Sequence, residues 1–89
     1  MMLRISADEA VGQPILLRLD GQITGRWAKL LLGTCEAWLK NGSRVVVDLK
    51  NVSFADREGI DLLRNLAGRG VEIRDALPFI FEQVRRTTP

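Results

Sequence analysis

Three consecutive valines, Val45-Val46-Val47, followed by Asp48-Leu49, constrain this chain more than any other feature. Successive side chains of a β-strand point to opposite faces, so an apolar run without polar alternation belongs to a strand buried on both sides. That is the pattern of a parallel sheet covered by helices, and it predicts a central strand over residues 44–49. Parallel neighbours cannot be joined by tight hairpins; they need long crossover connections, usually helical.

The flanking segments carry the helical period. Trp27, Leu30, Leu31, Cys35, Trp38 and Leu39 recur at three- and four-residue steps, with Thr24 as the expected N-cap and Asn41-Gly42 as the stop. Gly33 inside this helix is expected to let it approach the sheet closely. A second helix is expected to be capped by Asp56, to turn Ile60, Leu63, Leu66 and Ala67 inward and Asp61 and Arg64 outward, and to stop at residues 68–70. A third is expected to open at Pro78 with Ile80, Phe81 and Val84 inward and Arg85 and Arg86 at the negative end of its dipole.

Between the helices lie further strands. Residues 3–6 alternate weakly and suit an antiparallel edge strand, leading into a polar turn over 8–13. Residues 15–19 read as a strand ended by Asp20-Gly21, and residues 71–73 as a last short strand. The predicted fold is α/β: a small mixed sheet of about four strands with three helices, in the order β-β-α-β-α-β-α. Both strand-helix-strand units imply right-handed crossovers.

At 89 residues the chain is read as a single domain, 1–89, whose apolar residues serve one core. Hydrophobic residues make up 46% and charged residues 27%, which suits a folded globular protein rather than a disordered one. The net charge of +2 arises from 13 basic and 11 acidic residues scattered along the chain, so no nucleic-acid partner is expected. No apolar run approaches the roughly 18 residues of a membrane span, and the start lacks a signal-peptide pattern; membrane insertion is not expected. One cysteine, Cys35, and no histidine point to a reducing, cytoplasmic location and remove zinc-site and histidine acid-base chemistry. Neither Gly12-Gln13-Pro14 nor Gly68-Arg69-Gly70 has the Lys-Ser/Thr ending of a phosphate-binding loop, so no cofactor is expected. Asp48 and Asp56 form a conceivable carboxylate pair, but no nucleophile or base joins them, and the chain is read as non-enzymatic.

The stretch Val45-Val46-Val47-Asp48-Leu49, then Val52-Ser53-Phe54-Ala55-Asp56-Arg57-Glu58-Gly59-Ile60, resembles the signature of STAS domains, named for sulfate transporters and anti-sigma factor antagonists. In that family a buried strand ending in Asp-Leu precedes an Asp-Ser-x-Gly motif that opens a helix. Asp56 and Gly59 match the motif, and Arg57 stands where the phosphorylatable serine would be. Leu17-Arg18-Leu19-Asp20-Gly21-Gln22-Ile23 looks like the family's second strand and turn, and Arg69-Gly70-Val71-Glu72-Ile73 like its later strand.

The resemblance implies a regulatory module that binds a protein partner: an anti-sigma factor antagonist acting in signalling and transcription regulation on a kinase-like partner. The alternative is a cytosolic accessory subunit of a membrane transport complex for lipids or anions. The partner-binding residues it implies are Ser53, Asp56, Arg57, Glu58, Gly59, Asp61 and Leu62. Arginine has no hydroxyl and carries the charge opposite to a phosphoserine, so no phosphorylation is expected at Arg57. Ser53 is expected to serve as a loop hydrogen-bonder. Phe79 falls off the face shared by Ile80 and Val84, and so is a candidate for a homodimer or partner surface.

Overall fold

The computed structural model describes residues 3–85. Its elements run β1 (Leu3–Asp8), β2 (Ile15–Ile23), α1 (Gly25–Lys40), β3 (Val45–Ala55), α2 (Arg57–Gly68), β4 (Glu72–Arg74) and α3 (Pro78–Arg85). This is the expected order. The four strands lie side by side as β1-β2-β3-β4, with β1 antiparallel to β2 and β2, β3 and β4 mutually parallel. The expected role of Arg86 at the end of α3 lies outside the described residues.

Both crossovers, β2 to β3 and β3 to β4, step in the same direction across the sheet. Two right-handed crossovers in one direction place both helices on one face. The core sits there: Leu17, Leu19 and Ile23 from β2, Val47 and Leu49 from β3, Leu31 and Cys35 from α1, Leu63 and Leu66 from α2, and Ile80 from α3. Each such side chain contributes roughly 1.5–3 kcal/mol on burial. The other face carries Arg4, Ser6, Arg18, Asp20, Glu72 and Arg74, all exposed.

The valine run therefore needs a different account from helices on both sides. Val45 and Val47 point into the core, whereas Val46 lies on the open face and is only 7% exposed without joining the core cluster. Its register neighbours are Leu16 on β2 and Glu72 on β4. A central strand is shielded by its neighbours' side chains as well as by a covering layer, and apolar Leu16 beside Val46 suffices here.

The ends of β1, β2 and β3 lie beyond their expected positions. Asp20-Gly21 does not end β2, and residues 50–55 are strand rather than loop. Gly21 adopts φ 114°, open to glycine alone, and takes up an irregularity in the β2–β3 pairing; the strands then continue in partnership through Gln22–Phe54 and Ile23–Ala55. β1 likewise runs to Asp8, two residues beyond expectation.

Helix faces shift as well. Leu30 is 50% exposed while Ala28 takes its place inward, and Gly33 is exposed with open space where a Cβ would stand, so it serves no close approach. In α2, Leu62 is buried and Ala67 exposed; in α3, Phe81 turns outward and lies beneath the Arg85 guanidinium, 5.9 Å from its ring centre. Burial pushes the Cys35 thiol up to about 11, partly offset by the charge of Arg69 and reinforced by that of Glu36.

Candidate functional site

The paired extension of β2 and β3 determines what stands at the top of the sheet. Ile23 and Ala55 are register partners, and each is followed within two residues by the start of a helix, α1 at Gly25 and α2 at Arg57. Two helix N-termini, each with unsatisfied main-chain N–H groups, thus emerge side by side.

Asp56 serves both. Its Oδ1 accepts from the Gly59 N–H at 2.8 Å, the expected N-cap of α2, while its Oδ2 accepts from the Gly25 N–H at 3.2 Å, at the first residue of α1. Thr24 occupies the N-cap position of α1 in extended conformation but makes no side-chain cap bond. The Asp56 N–H donates to the Ile23 carbonyl at 3.1 Å, and its carbonyl accepts from Ile60 at 2.8 Å. A carboxylate facing two helix N-termini is favoured by both dipoles.

Gly59 is buried against the end of β2. A Cβ there would collide with the Ile23 carbonyl oxygen and lie 3.1 Å from Ile23 Cγ2. Gly59 therefore permits α2 to start tight against β2, and it offers no side chain to a partner. Leu62, at 8% exposure, is a core residue for the same reason: the first turns of α2 press one face onto the sheet.

The remaining residues singled out from the sequence are at the surface. Arg57, Glu58 and Asp61 are exposed on the first two turns of α2. Ser53 is exposed on β3 and its hydroxyl donates to the Gly21 carbonyl at 3.4 Å, across to the irregularity in β2. Asp48 and Asp56 do not come together as a pair. Asp48 lies on the open face, in register with Arg18 and Arg74, and its Oδ1 accepts from the Lys50 N–H at 2.9 Å.

Beside the start of α2 runs a groove of about 410 Å³, with Asp56, Arg57, Ile60, Asp61 and Arg64 on one side and Phe79 and Gln83 of α3 on the other. Arg64 ties the two helices by donating from Nε to the Gln83 carbonyl at 2.9 Å. Phe79 is 49% exposed. The partner-binding residues expected from the sequence include neither Arg64, placed only on the outward face, nor Gln83; the i, i+4, i+7 spacing of Arg57, Asp61 and Arg64 is a readable sign of one stripe, but the facing of α3 is not. A larger hollow of about 710 Å³ lies elsewhere, over the open face, with Leu16 and Val46 among its lining and Asp8, Arg44, Glu72 and Arg74 around them. It shares no residue with the α2 groove. Among the described residues, no three acidic, cysteine or histidine side chains are placed to hold a metal ion, and no helix is long and apolar enough to cross a membrane.

Solved structures share this architecture. An anti-sigma factor antagonist STAS domain from Rhodobacter sphaeroides superposes with a TM-score of 0.61 at 17% identity, over 86% of this chain and 94% of that one. The anti-sigma factor antagonist SpoIIAA in its unphosphorylated form gives 0.58 at 14% identity, over 94% and 100%. An uncharacterized protein with a SpoIIAA-like fold from Shewanella loihica PV-4 gives 0.58 at 10% identity over 76% of this chain, which spans only 57% of that protein's length. No curated protein matches the sequence significantly. At these identities the structures speak for the fold alone. The sequence itself is more specific, because residues 6–87 match the family described as "Mlab, STAS domain". The chain belongs to that STAS-domain family.

Proposed function

We propose that the chain is a protein-interaction module without a reaction of its own, acting in the cytoplasm as one domain and docking its partner on the exposed first turns of α2 and the facing side of α3. STAS domains are in general non-enzymatic, and the anti-sigma antagonist fold implies protein–protein interaction. The observation that carries the reading is the pairing of a rigid base with an exposed stripe. Asp56 and Gly59 fix the start of α2 against β2, while Arg57, Asp61, Arg64 and Phe79 border an open groove of mixed charge with an aromatic edge. Arginine and aromatic residues in a preformed concavity are the residue types that dominate interface energies.

Arg57 occupies the position of the family's phosphorylatable serine on this reading, so binding is constitutive rather than switched. The partner is a kinase-like protein of the anti-sigma type; a component of a transport complex is the other partner class the same surface could serve. Titration calorimetry of the protein with an anti-sigma kinase and with a transport ATPase from the same cell tests this. Arg57→Glu and Phe79→Asp should each weaken binding by tenfold or more. Equal affinity for the wild type and both variants would remove α2 and α3 as the docking surface. Phosphate transfer onto Ser53 by that kinase would overturn constitutive binding.

A further inference from the structure

The two edges of the sheet are unlike. β4 is three residues long, and its outward side chains, Glu72 and Arg74, are joined to each other at 3.0 Å; a short charged edge is one of the ways folded proteins avoid strand addition. β1 runs six residues in unbroken register with β2 and, among the described residues, pairs with no other strand. Its sequence, LRISAD, contains neither Pro nor Lys, and no bulge interrupts it. Its outer edge presents a regular row of main-chain donors and acceptors.

We propose that this edge pairs with β1 of a second copy, antiparallel and centred on Ser6, joining the two sheets into one. The order of the side chains selects that occupant. Leu3 is buried and Ile5 is half-buried against the core, so Arg4, Ser6 and Asp8 share the open face. Antiparallel pairing about Ser6 sets Arg4 of each copy opposite Asp8 of the other, two opposite-charge cross-strand pairs related by the twofold axis. The same register sets Ile5 opposite Ala7 on the core side and covers the exposed flank of Ile5. Centring on Ile5 instead would set Arg4 opposite Ser6 and leave both charges without a cross-strand partner. Asp8 already lies 3.2 Å from Arg18, with both side chains more than half exposed, so the arriving Arg4 completes an Arg18–Asp8–Arg4 group across the new junction. The surface is separate from the α2 groove, and both copies keep that groove open.

Sedimentation velocity of the whole chain over a wide range of concentration should show a monomer–dimer equilibrium that weakens with salt. Arg4→Asp, which sets acidic groups opposite each other at both pairs, should weaken dimerisation roughly tenfold, and Asp8→Arg likewise. The double variant Arg4→Asp/Asp8→Arg should restore it. A monomer at every concentration overturns the proposal, as does a dimer indifferent to the single reversals or a folded double variant that stays monomeric. Hydrogen exchange on the wild type is independent of variant folding: protection of β1 amides that rises with concentration supports the edge pairing, and protection that does not change overturns it.

Discussion

The Asp56 carboxylate reaches back 31 residues to the main-chain N–H of Gly25, so that the residue capping α2 also holds the first residue of α1. A single side chain thereby couples two helices whose starts are adjacent only because β2 and β3 are parallel neighbours in register at Ile23 and Ala55.

Replacing Asp56 should therefore cost more than an ordinary cap. Asp56→Ala removes both acceptors and should lower stability by about 2 kcal/mol, the upper end for capping residues. Asp56→Asn keeps one acceptor oxygen and should fall between. Urea unfolding of the three proteins checks the order; an Asn variant as stable as the wild type would mean that the second hydrogen bond contributes nothing.

Gly59→Ala should destabilise the fold by about 3 kcal/mol or more, because the added methyl meets the Ile23 carbonyl, a main-chain atom that cannot rotate aside. Ala is the better helix former by about 1 kcal/mol, so propensity alone gives the opposite sign. The midpoint of thermal unfolding decides between them.

Surface and core residues of α2 should separate cleanly. Leu62→Ala should cost about 2–4 kcal/mol as a core truncation, whereas Arg57→Glu and Phe79→Ala should leave stability within about 0.5 kcal/mol. Denaturation midpoints measured alongside binding would then assign a loss of affinity in the Arg57 and Phe79 variants to the surface itself.

The Cys35 thiol should make the protein alkali-sensitive. Its value is raised from an ordinary thiol value of 9.0 to about 11, so above the lower value the unfolded chain loses the proton first and the folded chain retains it. Stability is then fully present below about pH 9 and falls through the interval up to about 11, by on the order of 2–3 kcal/mol. Comparing unfolding of the wild type with Cys35→Ala across that interval isolates the thiol. A difference between the two that stays constant with pH would contradict it.

Much of the fold is legible along the chain because its signals are local. The extents of the helices, the Asn41-Gly42 stop and the Asp56 cap depend on residues within a few positions of one another, and these features stand where the local signals put them. Asp20-Gly21 misleads for the same reason. Locally it is a turn pair, yet the neighbouring strand offers continued hydrogen bonding, and Gly21 absorbs the irregularity instead of ending β2.

What the sequence determined by itself is the order of elements, the parallel centre around the valines and the capped, glycine-bearing start of α2. Each follows from steric and hydrogen-bonding preferences that act over a few residues. Only the tertiary structure decided that the helices share one face, that Val46 is shielded by Leu16 beside it, that Leu62 packs inward and that Asp56 serves α1 as well. Those outcomes depend on which strands become neighbours and in what register, and a contact between residues distant in sequence leaves no period in the chain to read.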